Sequence, residues 1–295
     1  MRNIKIVKKV GIVGMIANLF LFIIKIIIGL MSNSQAMIAD SFNSISDVFS
    51  SVMTFIGNHL ASVERDDDHN FGHEKAEYIF SMFISIFIFV IAIKLLYESI
   101  FSIFQSRKVI FSYNLVIISL ITIFIKLLLY LYTKYLYKQE PSILIKSNNL
   151  DHRNDIILTT FVLISIIFSK FGIYYIDSLV GMLISVIFLI SGIKLFKETY
   201  NVLMDVALPD YIKKDIFSLI MNVNNVVEID DIYSMSIGYK FIVVLTICVD
   251  GNLNTFESHF IANEVENKIK NKFNNIKDVF IHIHPIELKK NLDNN

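Results

Sequence analysis

The chain has 295 residues, of which 54% are hydrophobic, and it is too apolar for a soluble domain, so the sequence predicts a polytopic membrane protein. Its 27 basic and 27 acidic residues cancel, which excludes the basic surface expected of a nucleic-acid-binding protein. The single cysteine, Cys248, excludes a disulfide framework and a thiolate metal cluster.

Six apolar segments are each long enough to cross a hydrocarbon core about 30 Å thick, which takes roughly 20 helical residues. The first is longer than a signal-peptide core and carries no small-residue cleavage site, so we expect it to be retained. Basic residues at the amino terminus and between the fourth and fifth segments predict that both termini are cytoplasmic. The predicted spans are residues 10–31, 35–62, 78–104, 113–137, 148–170 and 176–196, and they form an all-α six-helix transmembrane domain over residues 1–203.

The remaining segment, residues 204–295, is less apolar and has the pattern of a small soluble domain. Helical periodicity over residues 211–223 is followed by two strand-like segments that meet at Gly238, an amphipathic helix over residues 255–273 and a last strand. This order of helix, strand, strand, helix and strand predicts a compact α+β fold. Because the domain follows the sixth span directly, we expect it to be cytoplasmic.

The second and fifth spans carry polar stripes that do not suit helices in lipid. In the second span, DSFNSISD places Asn43 and Asp47 one turn apart on one face, with Asp40 within about 60° of both. In the fifth span, DHRND places Asp151 and Asp155 at the same spacing. Polar residues inside a membrane usually face a partner, a cavity or an ion path. The two pairs are therefore predicted to form one cation site, whereas Asp40 is either an exit ligand or a capping or packing residue.

The donor types of this predicted site restrict the cation that it would hold. Carboxylate and amide oxygens suit Mn²⁺, Mg²⁺ or Ca²⁺, whereas softer or borderline ions would be expected to recruit Cys or His. Mn²⁺ stands at the bottom of the Irving–Williams order, so a site selective for it must avoid nitrogen and sulfur donors. Asn43 in place of a fourth acid also lowers the negative charge of the site, which favours release of the ion.

Three motifs, ADSFNSISD, DDDHNFGHEKAE and DHRND, follow one another in the second span, the next loop and the fifth span. With six spans and a carboxy-terminal domain similar to metallochaperones, the whole chain resembles the cation diffusion facilitator family. Asn43 stands where zinc and iron members carry Asp or His, and Asp151 stands where they commonly carry His. In both respects the chain is similar to the manganese-exporting branch.

The resemblance implies a homodimer that exports a divalent cation from the cytoplasm in exchange for protons, by alternating access. It also implies a ferredoxin-like α-β-β-α-β cytoplasmic domain. We therefore expect a multi-pass protein of a bacterial plasma membrane, with Mn²⁺ as the favoured substrate and no cofactor other than a regulatory divalent metal. The nearest alternative is the same mechanism with Zn²⁺, Fe²⁺ or Co²⁺.

The loop between the second and third spans is rich in acidic residues and histidine. Related proteins bind a second metal at the positions that match Asp66, His69 and His73. A solvated charged loop is the alternative interpretation.

The resemblance implies a further metal site in the cytoplasmic domain. Positions that match His259, His282 and His284 bind zinc in related proteins and tighten the dimer. In such a site, Asp230 or Asp231 would supply an oxygen ligand in addition to the three histidines. The alternative is that these histidines are ordinary surface residues.

Two hypotheses from other classes compete with transport. A membrane metalloenzyme would need a general base near the metal, and the one nearby candidate, His152, points about 100° away from the Asp151 stripe. A metal sensor or scaffold would leave the buried ligand set without a use. Apart from the site, Lys25 and Lys126 are predicted to be partners between helices, and Asp177 is predicted to cap the sixth span.

Overall fold

The computed structural model describes residues 4–105, 107–139 and 143–286, and its elements follow the predicted order. Residues 1–3 at the basic amino terminus and residues 287–295 of the predicted cytoplasmic domain lie outside the described residues. The long helices are α1 (Ile4–Met31), α2 (Gln35–Ala61), α3 (Ala76–Phe104), α4 (Tyr113–Gln139), α5 (Ile143–Lys170) and α6 (Tyr175–Leu203). They are followed by α7 (Asp210–Ile220), β1 (Glu228–Ile237), β2 (Lys240–Val249), α8 (Thr255–Lys272) and β3 (Ile276–Pro285).

Five helices in the described part of the chain are long and apolar enough to cross a membrane. They are Gly11–Met31, Ala76–Phe104, Tyr113–Lys138, Asn148–Lys170 and Tyr175–Leu203. Helix α2 has 27 residues, which is long enough, but its polar stripe and serines keep it outside this apolar set. The transmembrane domain is therefore helical as predicted, and the count of six spans stays a prediction.

The described residues divide into two compact units. The first contains the chain up to Ile56 together with Phe80–Phe196, and the second contains Gly57–Ile79 together with the chain from Lys197 onward. Within the second unit, Lys75 forms an ion pair with Asp205 at 2.7 Å. The loop between α2 and α3 thus belongs to the same unit as the carboxy-terminal domain.

In the first unit, a residue of α6 caps the amino terminus of α2. The Asp177 carboxylate accepts hydrogen bonds from the Ser34 hydroxyl at 2.6 Å and from the backbone N–H groups of Gln35 and Ala36 at 2.6 and 3.3 Å. The prediction that Asp177 caps its own helix is wrong, because α6 begins at Tyr175 and Asp177 lies inside its first turn. The buried carboxylate satisfies N–H groups that α2 cannot satisfy itself, and so fixes the start of the helix that carries the first polar stripe.

The carboxy-terminal domain has the predicted α+β fold. Strands β1 and β2 are antiparallel and joined at Gly238, whose φ of 62° suits glycine, and β2 pairs in parallel with β3 after the crossover helix α8. Asn254 and Glu257 form a capping box at the start of α8. Apolar side chains of the sheet, α7 and α8 make one core. The sheet has three strands in the order β1-β2-β3, and a finer ferredoxin-like arrangement stays a prediction.

Candidate functional site

Side chains of α2 and α5 meet across a polar cavity in the first unit. Asn43 Nδ2 donates to Asp155 Oδ1 at 2.6 Å, and Thr159 Oγ1 donates to Asp40 Oδ2 at 3.2 Å. The partner in α5 comes later in the chain as the residue in α2 comes earlier, so the two helices are antiparallel and their predicted stripes face each other. All four predicted cation ligands line the cavity. Its volume is about 270 Å³, and its lining residues are Asn43, Ser46, Asp47, Ser50, Ile88, Asp151, Asn154, Asp155, Leu158, Ile187, Phe188 and Ser191.

The four predicted ligands differ in their exposure. Asn43 and Asp155 are buried, Asp47 is half-buried and Asp151 is exposed. Asp47 follows Asn43 by one turn in α2, whereas Asp151 precedes Asp155 by one turn in α5. Because the two helices face each other in opposite directions, the accessible carboxylates share one end of the cavity. Oxygen donors therefore extend from an accessible mouth to a buried pair.

Lys126 of α4 joins the buried end of this ligand set. Its ammonium forms a very short ion pair with Asp155 Oδ2 and lies 3.8 Å from Asp47 Oδ2. It also donates to Asn18 Oδ1 at 2.5 Å, and Asn18 Nδ2 donates to Asp47 Oδ2 at 3.2 Å. The prediction of an inter-helix role for Lys126 fits this contact. Sequence reasoning missed Asn18, although an isolated amide in an otherwise apolar span was a usable signal.

Asp40 occupies a separate buried ion pair. Lys25 of α1 lies 2.8 Å from Asp40 Oδ2 and donates to Ser44 Oγ at 3.2 Å. Asp40 is not among the residues that line the cavity. Of the two alternatives for this residue, the pairing with Lys25 and Thr159 fits a packing role, and the role of an exit ligand stays a prediction.

His152 does not contribute an imidazole to the cavity, although it neighbours Asp151 in sequence. It is buried, and its ring lies beside Gly14 of α1, where a Cβ atom would be 3.9 Å from the His152 Cε1 atom. The lining residues include neither histidine nor cysteine. The oxygen donors of this lining can therefore hold a hard cation.

The predicted loop site is assembled in the second unit. Ligand atoms of Asp66, His69 and His73 lie within 4.8 Å of one another, and no other such group of three or more His, Cys, Asp or Glu occurs in the described residues. Desolvation favours the neutral form of Asp66. This effect is outweighed by hydrogen bonds from the backbone and ring of His69 and by the charges of His69 and His73. Together they hold the pKa of the Asp66 carboxyl below its ordinary value. The carboxylate is therefore ionised and available at neutral pH.

The three histidines predicted for the cytoplasmic domain are only partly together. The rings of His282 and His284 lie 4.6 Å apart on β3, and His284 Nδ1 lies 3.1 Å from Asp230 Oδ2. His259 is exposed on α8 and belongs to no group of ligand atoms within 4.8 Å in the part of the chain that the structure describes. The structure thus brings His282 and His284 together with Asp230 rather than Asp231, and a metal site that also includes His259 stays a prediction.

The sequence matches known proteins along most of its length. Residues 11–204 match the cation efflux transmembrane domain, and residues 208–286 match the cytoplasmic domain of cation efflux proteins. The manganese efflux system protein MneS of Bacillus subtilis (strain 168) is 28% identical over 282 residues, covering 95% of this chain and 96% of the relative. The manganese efflux system protein MneP of the same organism is 27% identical over 288 residues, covering 95% and 97%.

Solved structures resemble a part of the chain. The crystal structure of the cytosolic domain of a cation diffusion facilitator family protein is 22% identical, with a TM-score of 0.25, and the match covers 26% of this chain and 92% of that chain. The two matched domains follow each other in the order predicted from the sequence. The metalloenzyme hypothesis is therefore wrong. The chain belongs to the cation efflux family, also called cation diffusion facilitators, and is a membrane transporter that exports divalent cations.

Proposed function

We propose that this protein exports Mn²⁺ through the cavity between α2 and α5, with Asn43, Asp47, Asp151 and Asp155 as the transport ligands. The observation that carries the proposal is the donor set, because the polar side chains that line the cavity are carboxylates, amides and hydroxyls, without imidazole or thiol. Such donors suit Mn²⁺, and without nitrogen or sulfur ligands the site lacks the donors that most strongly favour Zn²⁺ and Cu²⁺. The similarity to two manganese efflux proteins supports the same ion.

The proposed transport cycle exchanges Mn²⁺ for protons across a bacterial plasma membrane. Carboxylates bind either a metal ion or protons, so competition at Asp47, Asp151 and Asp155 would couple the two fluxes. In this proposal α2 also crosses the membrane and brings the number of spans to six, because its polar stripe faces the cavity and not the lipid. Residues 1–203 then form the transmembrane domain, both termini are cytoplasmic, and residues 204–295 form a ferredoxin-like domain that joins two copies of the chain.

The proposal is tested by metal uptake into everted membrane vesicles that contain the protein. Uptake of Mn²⁺, Zn²⁺, Fe²⁺ and Co²⁺ is compared at equal free concentration, with and without an acidic vesicle lumen. We expect the acidic lumen to stimulate Mn²⁺ uptake. An ionophore that abolishes the proton gradient should remove this uptake. Transport of Zn²⁺ without Mn²⁺ would contradict the manganese assignment, and uptake indifferent to the gradient would contradict the exchange with protons.

We also propose that the loop cluster of Asp66, His69 and His73 binds a divalent metal. Two imidazoles and a carboxylate are a ligand set that Zn²⁺ accepts. The loop is held in place within the second unit, because Lys277 donates to the Phe71 carbonyl at 3.0 Å.

The loop site is tested with the double substitution His69→Ala and His73→Ala. We expect the purified protein to bind one Zn²⁺ fewer per chain, as counted by equilibrium dialysis, because a single carboxylate cannot hold the ion. Asp67→Asn is the matched control, since Asp67 lies in the same loop outside the cluster. An unchanged Zn²⁺ count in the double variant would show that the loop is only a solvated charged segment.

A further inference from the structure

Lys126 is a positively charged residue that lies against two of the proposed cation ligands, Asp47 and Asp155. It lies in the apolar helix α4 and is buried. Its ammonium contacts Asp155 of α5 and approaches Asp47 of α2, so it bridges the two helices that supply the proposed ligands. A buried ammonium is tolerated only with such partners. The contact therefore follows from the charges, and the position of a cation against two proposed metal ligands needs a functional explanation.

The contacts of Asp155 show what this lysine does to the site. One carboxylate oxygen accepts from Asn43 Nδ2 at 2.6 Å, and the other accepts from the Lys126 ammonium. A divalent cation bound to Asp155 needs lone pairs of these same oxygens. It would also meet the positive charge of Lys126 at a few ångströms in a poorly screened environment, where like charges repel strongly. Metal and ammonium therefore cannot share Asp155 in this arrangement.

We propose that Lys126 is a tethered competitor of the transported cation, and thus a residue that sets the affinity of the site. This inference rests on the proposed function, because it takes Asp155 as a transport ligand. Metal binding displaces the ammonium from Asp155, and Asn18 Oδ1, which already accepts from Lys126 at 2.5 Å, keeps a partner for it on α1. The flexible lysine stem allows this movement. When the ammonium returns to Asp155, it favours release of the metal.

The test is the Mn²⁺ affinity of the purified full-length protein at constant pH, measured from the electron paramagnetic resonance signal of free Mn²⁺. His69 and His73 are alanine throughout, so that the loop cluster does not contribute. We expect Lys126→Met to bind Mn²⁺ about tenfold or more tightly, because the substitution leaves buried carboxylates without a counter-ion. The matched control is Lys25→Met, which removes the other buried lysine and its pair with Asp40 outside the cavity. We expect its Mn²⁺ affinity to change by a smaller factor than in Lys126→Met, because Lys25 pairs with Asp40 and not with a proposed transport ligand.

Two further measurements cover the case in which a neutral residue at position 126 impairs folding. Lys126→Arg keeps the charge and offers a bidentate donor to the carboxylates, so we expect Mn²⁺ to bind less tightly than to the parent. In Lys126→Ala, added methylammonium should compete with Mn²⁺ and weaken its binding, with a smaller effect on the parent. Unchanged or weaker binding in folded Lys126→Met, or unchanged or tighter binding in Lys126→Arg, would overturn the proposal.

A further variant, Asp155→Ala, separates this inference from the proposed function. If Asp155→Ala still binds Mn²⁺ as the parent does, the proposed transport site itself is wrong. If Asp155→Ala loses binding while folded Lys126→Met binds like the parent, the site stands and the competitor role of Lys126 fails.

Discussion

Replacing Asp155 by alanine is expected to abolish Mn²⁺ uptake into everted vesicles. Asp155 is the buried carboxylate on which the other groups converge, since Asn43 and Lys126 both donate to it. Loss of a residue that only orients a metal ligand already costs roughly 10–100-fold in metal affinity or activity. We therefore expect loss of this proposed ligand to lower uptake by at least about 100-fold at a Mn²⁺ concentration that does not saturate the parent protein.

The same substitution should also destabilise the protein, because it leaves Lys126 buried without its closest carboxylate. Breaking a buried ion pair by removing one partner typically costs about 3–5 kcal/mol. The double variant Asp155→Ala with Lys126→Met removes both charges, so we expect it to be more stable than Asp155→Ala alone and still inactive in uptake. Stability is followed as the temperature at which the detergent-solubilised protein is lost from its size-exclusion peak.

Two results would contradict this prediction. Wild-type uptake by Asp155→Ala would place the transport ligands elsewhere in the chain. A double variant no more stable than Asp155→Ala would show that Lys126 does not depend on Asp155 for compensation of its charge. Because uptake and stability are measured separately, loss of transport through misfolding is distinguished from loss of a ligand.

Sequence patterns predicted those parts of the structure that depend on a single helix. The spacing of Asn43 and Asp47, and of Asp151 and Asp155, follows from 3.6 residues per turn, and each pair lines the cavity as that spacing requires. The α+β class of the carboxy-terminal domain followed in the same way from local periodicity. In both cases the signal lies within one helix or strand.

Contacts between distant segments could not be predicted in this way. Periodicity shows which residues share a helix face, and it does not show which faces meet. Lys126 is 108 residues from Asn18 in the chain, and Asp177 is 142 residues from the backbone N–H of Gln35. A local rule assigned Asp177 to its own helix, and tertiary packing placed it at the start of α2 instead. The carboxylate that pairs with Lys126 could not be identified for the same reason.

Replacing Asn43 and Asp151 together by histidine is expected to shift transport from Mn²⁺ toward Zn²⁺. Both residues line the cavity, and both contribute oxygen donors there. Imidazole nitrogen favours Zn²⁺ over Mn²⁺, in line with the Irving–Williams order. We expect the ratio of Zn²⁺ to Mn²⁺ uptake to rise by about tenfold or more, since a difference of about 1.4 kcal/mol in relative affinity is sufficient. The measurement is competitive uptake of the two ions by everted vesicles.

The matched control for this selectivity change is Asn154→His. Asn154 also lines the cavity, but it lies outside the proposed ligand set, so its imidazole enters the same space without replacing a ligand. We expect this variant to keep the parental ratio of Zn²⁺ to Mn²⁺ uptake. An equal shift in Asn154→His would mean that any nearby nitrogen changes selectivity. A parental ratio in the double histidine variant would mean that the donor atoms at positions 43 and 151 do not choose the ion. Selectivity would then have to arise from a feature that histidine preserves, such as the charge that Lys126 holds against Asp155.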